Sequence, residues 1–257
     1  MGIGSRAWDR LFSGPRPRDL HEFVELNGEK HRAPSTPGRS AHPHPGAADG
    51  PLLRTGPAAH GPPAGGLRVR GRRVHGFKFF DERDLLGFVD GSENPEGRLA
   101  AGGAVFVGGD EDPAFRGGGS YVTVQKYLHD LTAWNALSTG DQEKAIGRTK
   151  LENVEFPDDV KPEDSHIALN TVTDEDGNER KIIRENMAFG TVGQGEFGTF
   201  FIGYARTPDV TEHMLRNMFL GTRPGLHDRI LDFSTAVTGC LFHVPTLDFL
   251  DDLPAAP

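Results

Sequence analysis

Alternation of apolar and polar positions predicts several strands along the chain. In "SYVTVQKYLHDL", residues 120–131, Tyr121, Thr123 and Gln125 alternate with two valines and a lysine, which is typical of a strand. The segment "HIALNTVTDEDGNERKIIREN" predicts two strands around the Asp-Gly turn in "DEDGNE". Shorter apolar runs predict strands at "AVFVGG" and "GTFFIGYAR".

Apolar residues at helical spacing predict helices in four other segments. The first, "SRAWDRLF", places Trp8, Leu11 and Phe12 at that spacing, with Ser5 as the N-cap. In "TPDVTEHMLRNMFLG" a proline stands near the first position, a glycine follows the end, and four large apolar residues share one face. The other two predicted helices are "STGDQEKAIGRTKLE" and "GLHDRILDFSTAV". Strands and hairpins interspersed with helices predict an α+β fold with antiparallel sheets.

One segment differs in composition from the rest of the chain. Residues 38–74 contain six prolines and eight glycines in 37 positions, and they contain no aromatic residue, isoleucine, lysine or glutamate. Such a composition does not support a regular helix or a central strand, so we predict an irregular or disordered connector. The connector separates residues 1–37 from the larger unit at 75–252, which a short tail at 253–257 follows.

Charge and cysteine content narrow the classes of function. The formal net charge of −9 argues against a nucleic-acid partner, because an excess of negative charge does not attract a polyanion. The lone Cys240 excludes an internal disulfide and any multi-cysteine metal site, which fits a reducing compartment. There is neither an apolar run of the roughly 20 residues that span a bilayer nor the apolar core of a secretory signal. We therefore predict a cytoplasmic protein without a membrane partner.

Two candidate site residues have ordinary alternatives on pattern alone. Asp90 in "GFVDGSENP" lies between Val89 and Gly91, and a turn aspartate that caps its own backbone is the commoner role there. His166 opens a predicted strand. Its use as a ligand requires an open-sided metal or a haem, because no second histidine stands at ligand spacing.

Two arginines and an amide complete the set of candidates. Arg184 and Asn186 in "IIRENMAFG" are two residues apart, so in a strand both point to one face and offer a fixed cation beside a neutral amide. The alternative is a solvated strand edge beside Glu185. Arg148 in "IGRTK" suits an anionic group, although an arginine on a helix surface is the commoner case.

The order and spacing of seven motifs resemble the dye-decolorizing peroxidases, a haem family with two ferredoxin-like α+β halves. The resemblance covers residues 75–252 and residues 1–37. The motifs are "GFVDGSENP", "GGSYVTVQKYLHDL", "QEKAIGRTK", "SHIALN", "IIRENMAFG", "GTFFIGYAR" and "ILDFSTAVTG".

The resemblance implies a role for each candidate on the peroxide side of a haem. The GxxDG motif of the family corresponds to residues 87–91, which makes Asp90 the distal acid. Arg184 corresponds to the distal arginine, and Asn186 to the asparagine two residues later. Together they imply a proton-shuttling carboxylate beside two groups that stabilise negative charge.

The resemblance also implies the groups that hold the haem. His166 corresponds to the proximal ligand of the haem iron. Asp228 corresponds to the carboxylate that accepts a hydrogen bond from that histidine, and Arg148 to the arginine that binds a haem propionate. The implied cofactor is haem b.

The implied function is that of a haem peroxidase. Such an enzyme reduces hydrogen peroxide and oxidises dye-like or phenolic donors through a ferryl intermediate. One alternative is a haem-binding or haem-handling protein without useful turnover, and another is a non-functional fragment of a damaged gene. The implied partners are peroxide, a small organic reductant and further copies of the chain. Packaging in a nanocompartment would use a C-terminal extension, of which the tail shows no clear sign.

Two departures from the family pattern lead to a further hypothesis. The first strand and helix of the N-terminal half have no counterpart, so that half is expected to be incomplete. Where relatives carry a helix and a strand, this chain has residues 38–74. Synonymous codons can be chosen for residues 49–61 that, read with a one-base offset, encode "TDLCFELGRQLMA", which has apolar residues at helical spacing. We therefore hypothesise a frameshift from about Gly38 to Val74, against the alternatives of a natural insert or an arginine-rich partner-binding segment.

Overall fold

The computed structural model describes residues 1–38, 40–46, 50–55, 72–77, 80–115, 118–191, 193 and 195–257. Their strands, numbered along the chain, are β1 (Gly2–Gly4), β2 (Leu26–Asn27), β3 (Arg32–Ala33), β4 (Ser40–Gly46), β5 (Gly50–Thr55), β6 (Arg72–Phe77), β7 (Ser120–His129), β8 (Ile183–Arg184), β9 (Met187–Thr191), β10 (Glu196–Ala205), β11 (Ser234–Ala236) and β12 (Cys240–Val244). Their α-helices are α1 (Ser5–Leu11), α2 (Arg98–Val105), α3 (Leu131–Ala136), α4 (Thr139–Ile146), α5 (His166–Asn170), α6 (Pro208–Leu220) and α7 (Leu247–Asp251). Short 3₁₀ helices lie at Phe80–Glu82 and Arg229–Asp232.

Most of the strands join one antiparallel sheet in the order β11-β7-β12-β1-β4-β5-β6-β9-β10-β8, while β2 and β3 form a separate hairpin. β10 also pairs with β7 over eight positions, from Gly198 opposite Leu128 to Ala205 opposite Tyr121. This pairing closes eight of the strands into a ring. The observed mixture of antiparallel strands and separate helices agrees with the predicted α+β class.

Elements with strong periodicity form where the sequence predicts them. β7 and β10 occupy the predicted strand segments, and α1, α4 and α6 occupy predicted helices. In α6, Pro208 is at the start, and four buried side chains (Met214, Leu215, Met218 and Phe219) face the core. The N-cap of α1 is Gly4 rather than the predicted Ser5, which is the first helical residue.

Three shorter segments differ from their predictions. "SHIALN" forms α5 rather than a strand, because the Ser165 hydroxyl caps the helix by accepting from the Ala168 amide. "AVFVGG" contributes to the end of α2, because a short apolar run is compatible with either structure. The predicted helix "GLHDRILDFSTAV" is divided into a 3₁₀ turn and β11, whose residues Ser234–Ala236 pair with β7.

The prediction that residues 38–74 form an irregular or disordered connector without a central strand is wrong for the part that the structure describes, because β4, β5 and β6 lie between β1 and β9 in the sheet. β4 pairs with β5, and β5 pairs with β6. Among the described residues, β4 pairs with β1 only at Ser40 and Ala41. Pro43 and Pro45 lie further along β4, where that edge of the strand has no partner in the described part of the sheet, so the missing backbone N–H of a proline breaks no hydrogen bond there. Residues 39, 47–49 and 56–71 lie outside the described residues. The division of the chain into domains stays a prediction.

Two buried clusters hold the elements that carry the candidate residues. The larger one packs α1, α6 and the 3₁₀ turn at 229–232 against the sheet, with Trp8, Phe219 and Leu231 fully or almost fully buried. The smaller one anchors the loop at 83–94 on α3 and α4 through buried apolar side chains: Leu86, Phe88, Trp134, Ala145 and Ile146. Within the described part of the chain, no helix has the length and apolar character needed to cross a bilayer.

Candidate active site

The predicted site residues converge on one cavity. Asp90, Arg148, His166, Arg184 and Asn186 all line it. They come from distant parts of the chain: a loop, the segment after α4, the start of α5, strand β8 and the segment between β8 and β9. The sixth predicted residue, Asp228, lies outside the lining and contacts His166 from behind.

His166 is held by a fully buried carboxylate. Its Nδ1 atom lies 2.7 Å from Asp228 Oδ2, and the side chain of Asp228 is 0% exposed. Asp228 also caps the 3₁₀ turn by accepting from the Ile230 amide, and its own amide donates to the carbonyl of Met218. In the tautomer that suits this contact, Nδ1 donates to the carboxylate oxygen, and Nε2 then remains available as an acceptor or ligand atom.

Asn170 was missed by sequence reasoning, although it completes the environment of His166. Its Nδ2 atom donates to the His166 carbonyl at 2.7 Å and lies 3.4 Å from Asp228 Oδ2. It stands four residues after the histidine, so it lies on the same face of a helix. Predicting a helix rather than a strand at "SHIALN" would have identified it.

The loop that carries Asp90 is held by hydrogen bonds between side chains and its backbone. Oδ1 of Asp84 accepts hydrogen bonds from the amides of Leu86 and Phe88. Trp134 donates its indole N–H to the Leu86 carbonyl at 2.9 Å. Gly87 has a φ of 91°, a conformation that favours glycine. Asp90 is therefore part of a rigid loop rather than an isolated turn aspartate.

Asp90 is joined to the strand that bears the other two candidates. Asn186 donates from Nδ2 to Asp90 Oδ1 at 2.8 Å. Asn94, another residue that the sequence did not reveal, donates to the Arg184 carbonyl and accepts from the Arg184 amide, at 2.9 and 2.8 Å. These bonds join Asp90 directly to Asn186 and fix the backbone of Arg184, and all three residues line the cavity. Desolvation lowers the pKa of Arg184, while the charges of Glu93 and Asp90 oppose this shift.

Arg148 has one buried guanidinium N–H without an acceptor in the part of the chain that the structure describes. Its side chain is 10% exposed, and one terminal nitrogen lies 3.3 Å from Glu93 Oε1. Its Nε atom is buried and has no hydrogen-bond partner among the described residues. A buried guanidinium N–H without an acceptor is costly, so a carboxylate ligand in the cavity fits this position.

Two further residues in the lining are polar but uncharged. His129 contacts the hydroxyls of Ser234 and Thr199 at 2.8 and 2.9 Å, and burial lowers its pKa to about 4. Burial also raises the pKa of Tyr127 above its usual range. Both side chains are therefore neutral near pH 7.

Asp84 leads to a prediction about pH. Desolvation raises its pKa to about 6 from 3.8, and the charge of Asp90 acts in the same direction. The folded state therefore binds this proton more tightly than the unfolded state, so the stabilisation is complete below about pH 4 and is lost as the pH rises through about 6. Relative to Asp84→Asn, the wild type is expected to lose about 2 to 3 kcal/mol of unfolding free energy between pH 4 and pH 7.

Urea unfolding of both proteins at several pH values measures this difference. Asparagine keeps an oxygen that accepts from the same two amides, so the comparison isolates the charge. A difference in stability that does not vary between pH 4 and pH 7 would show that Asp84 is ionised normally.

Comparison with known families agrees with the geometry. The domain described as "Dyp-type peroxidase, C-terminal" matches residues 81–249, and "Dyp-type peroxidase, N-terminal" matches residues 1–39. The chain belongs to the Dyp-type peroxidase family. Neither domain covers residues 40–80 of this family member, which contain most of the compositionally unusual segment.

Curated relatives and solved structures extend over nearly the whole chain. A dye-decolorizing peroxidase of Mycolicibacterium paratuberculosis is 59% identical over 99% of this chain and 71% of its own length. One from Mycobacterium tuberculosis is 56% identical over 100% and 76%. The structure of DyPB from Rhodococcus jostii RHA1 has a TM-score of 0.84 at 50% identity, over 98% of this chain and 79% of its own. The predicted ferredoxin-like α+β fold class is thereby confirmed.

Two other solved relatives bear on the cofactor and on assembly. An R. jostii DypB variant was solved in complex with heme, and it has a TM-score of 0.84 at 50% identity over 98% of this chain and 80% of its own. The encapsulated DyP-type peroxidase of Mycobacterium smegmatis has a TM-score of 0.83 at 53% identity, over 100% and 82%.

Proposed function

We propose that this Dyp-type peroxidase uses haem b to reduce hydrogen peroxide and to oxidise small organic donors such as dyes and phenols. The observation that carries the proposal is that the His166–Asp228 pair opens onto the same cavity as Asp90, Arg184 and Asn186. A metal ligand with a buried carboxylate behind it and a cluster of acid–base and charge-stabilising groups are what peroxide cleavage requires.

The donor set fits a haem. His166 Nε2 would bind the iron, and Arg148 would bind a propionate through the N–H that lacks a partner. Covalent attachment through cysteine is not supported, because Cys240 is the only cysteine of the chain and its thiol donates to the Thr36 carbonyl outside the cavity lining. Non-covalent haem b is therefore the form that we propose. Bound haem would supply the electrons for cleavage of the O–O bond.

Asp90 and Arg184 would divide the work on the peroxide side. The Asp90 carboxylate would accept the proton from the first peroxide oxygen and return it to the leaving oxygen, so that water departs instead of hydroxide. Arg184 cannot lose its proton near neutral pH, and its guanidinium would stabilise the negative charge that develops as the bond breaks. Asn186 holds the Asp90 carboxylate in position through the bond to Oδ1.

Asp228 would tune the histidine from the other side. Its carboxylate would accept a hydrogen bond from Nδ1 of His166. The same carboxylate is held by hydrogen bonds from Ile230 and Asn170, so it cannot rotate without losing these partners. The negative charge makes the imidazole more electron-donating, which favours oxidised iron. The same bond fixes the orientation of the ring toward the cavity.

Steady-state turnover tests the proposed function. Protein reconstituted with haemin is expected to oxidise an anthraquinone dye at a rate that depends on peroxide, with saturation in both substrates. The main alternative, a haem-binding or haem-handling protein, predicts a complete haem complex with a rate no higher than that of free haemin. A saturable rate that exceeds free haemin by at least about 100-fold supports the peroxidase, since acid–base catalysis alone contributes that much.

The oligomeric state and the cellular location of the protein are also proposals. We propose that the chain forms homo-oligomers. Packaging in a nanocompartment has support only from the similarity to the encapsulated peroxidase of M. smegmatis, and the sequence itself gives it none. The proposed location is the cytoplasm. Size-exclusion chromatography with light scattering tests the first point, since a single mass of about 28 kDa at all concentrations would contradict oligomerisation.

We also propose that residues 38–74 arise from a shifted reading frame. The unusual composition of the segment and its position between the two matched domains support this origin. The coding DNA is the test. If neither one-base offset across these codons yields a segment with apolar residues at helical spacing, the segment is a natural insert.

A further inference from the structure

Three potential metal ligands meet at a place outside the candidate active site. His31, His227 and Asp232 each offer one ligand atom, and these atoms all lie within 4.8 Å of one another. Nε2 of His31 is 3.0 Å from Asp232 Oδ1, and Nε2 of His227 is 3.1 Å from the same oxygen. None of the three residues lines the cavity described above.

The three ligands come from two parts of the fold that are far apart in the sequence. His31 lies in the turn of the β2–β3 hairpin, which is closed by the Gly28 amide donating to the His31 carbonyl at 2.9 Å. His227 directly precedes Asp228, and Asp232 is the last residue of the 3₁₀ turn. The two imidazole rings lie 4.8 Å apart. The cluster therefore connects the segment matched by the N-terminal family domain to the segment matched by the C-terminal one.

We propose that His31, His227 and Asp232 form a site for a divalent ion of the zinc class. Two imidazoles and one carboxylate are a ligand set that Zn²⁺ uses, and ligands bound at 2.0–2.1 Å in a tetrahedron lie about 3.3 Å apart. The separations of 3.0 and 3.1 Å between each imidazole nitrogen and Asp232 Oδ1 need only small movements to reach that spacing. The two imidazole nitrogens lie within 4.8 Å of each other, and a bound ion would bring them to the same spacing. The three side chains are 18–22% exposed, which leaves access for the ion and for water as the fourth ligand.

A competing cation occupies part of this site. Lys30 Nζ forms an ion pair with Asp232 Oδ1, and Arg229 Nε lies 3.4 Å from Asp232 Oδ2. The Lys30 side chain is 58% exposed, so it can move into solvent at little cost when a divalent ion arrives. Replacing Lys30 with methionine removes both the competitor and a nearby positive charge. We expect this substitution to tighten ion binding, whereas loss of a simple ion-pair network would have no such effect.

Zinc binding to the purified protein tests the proposal. Protein is treated with a chelator, dialysed and titrated with ZnCl₂ in a calorimeter, both with and without reconstituted haem, so that the outcome does not depend on the proposed peroxidase function. The wild type is expected to bind one equivalent. His31→Gln is expected to weaken binding by at least about tenfold, and Lys30→Met to strengthen it. Zinc is also expected to raise the melting temperature of the wild type but not of His31→Gln.

Two control variants separate this site from other histidines. His213→Gln removes an exposed histidine of α6, and it is expected to leave zinc binding unchanged. His42 and His44 alternate with prolines in the sequence and offer a rival pair of ligands, so a double glutamine variant is included. Asp232→Asn provides a second test that preserves side-chain shape. The proposal is overturned if the wild type binds no stoichiometric zinc, or if only the double variant at His42 and His44 loses it.

Discussion

Replacing His166 with alanine is expected to lower the affinity for haem by more than about 100-fold, because partners that merely orient a ligand already account for 10- to 100-fold. The variant removes the ligand atom but keeps the fold. Ser165 remains as the N-cap of α5, and alanine is well tolerated at the first helical position. A haemin titration followed at the Soret band measures the affinity, and far-UV circular dichroism checks the fold.

An external base sharpens this test. Deletion of the imidazole leaves a space next to Asp228, whose fully buried carboxylate then lacks one of its hydrogen-bond donors. Free imidazole is expected to enter that space and to restore the Soret band of His166→Ala in a saturable manner. The exposed His213 serves as the matched control, and its alanine variant is expected to behave as the wild type. Identical titrations for the wild type and His166→Ala would contradict the assignment of the ligand.

Replacing Arg184 with leucine is expected to lower kcat/KM for peroxide by about 10²- to 10³-fold, which is the usual loss when one charge-stabilising donor is removed from an active site. The backbone of Arg184 is fixed by Asn94 independently of the side chain, so the strand is expected to keep its position. Haem affinity is expected to change little, because the proposed ligand is His166. Stopped-flow reaction of the haem-loaded protein with peroxide measures the rate constant.

Arg180 provides the matched control for Arg184. It also lines the cavity, but its guanidinium forms an ion pair with Asp209, with Nη1 2.6 Å from Oδ2. Arg180→Leu therefore removes the same charge and volume from the same cavity while leaving the peroxide side intact. If both leucine variants lose the same factor in kcat/KM, the general charge of the cavity is responsible and the specific role of Arg184 is wrong.

The segments with the clearest periodicity predicted their structure well, whereas short segments and the less regular "GLHDRILDFSTAV" did not. α6 and the pair β7–β10 have enough residues for period 3.6 or period 2 to be distinguished. "SHIALN" has six, and a single hydroxyl at Ser165 decides in favour of a helix. The proline content of β4 argued against a strand, yet β4 pairs with β5. Proline is tolerated on an unpaired edge of a strand, and a sequence does not show which edges are unpaired.

The candidate site shows a similar division. Residue patterns alone favoured a turn aspartate at Asp90 and an unremarkable histidine at position 166, and only the resemblance to a family indicated their roles. The supporting residue Asn94 carries no sequence signal of its own, because its importance lies in bonds to Arg184 that the fold creates. Asn170 was missed because its spacing from His166 is informative only in a helix, and the sequence predicted a strand there. Asp84 was missed for the same reason, since its pKa depends on burial.

The most direct test of the peroxidase assignment is a single-turnover experiment on the haem-loaded protein. One equivalent of hydrogen peroxide is mixed rapidly with the protein, the Soret band is followed, and two equivalents of a one-electron donor are then added. We predict a complete spectral change after one equivalent of peroxide and a full return after two electrons. A Soret band that is unaffected by peroxide, or that bleaches without returning, would contradict the assignment and would leave a haem-binding protein without turnover.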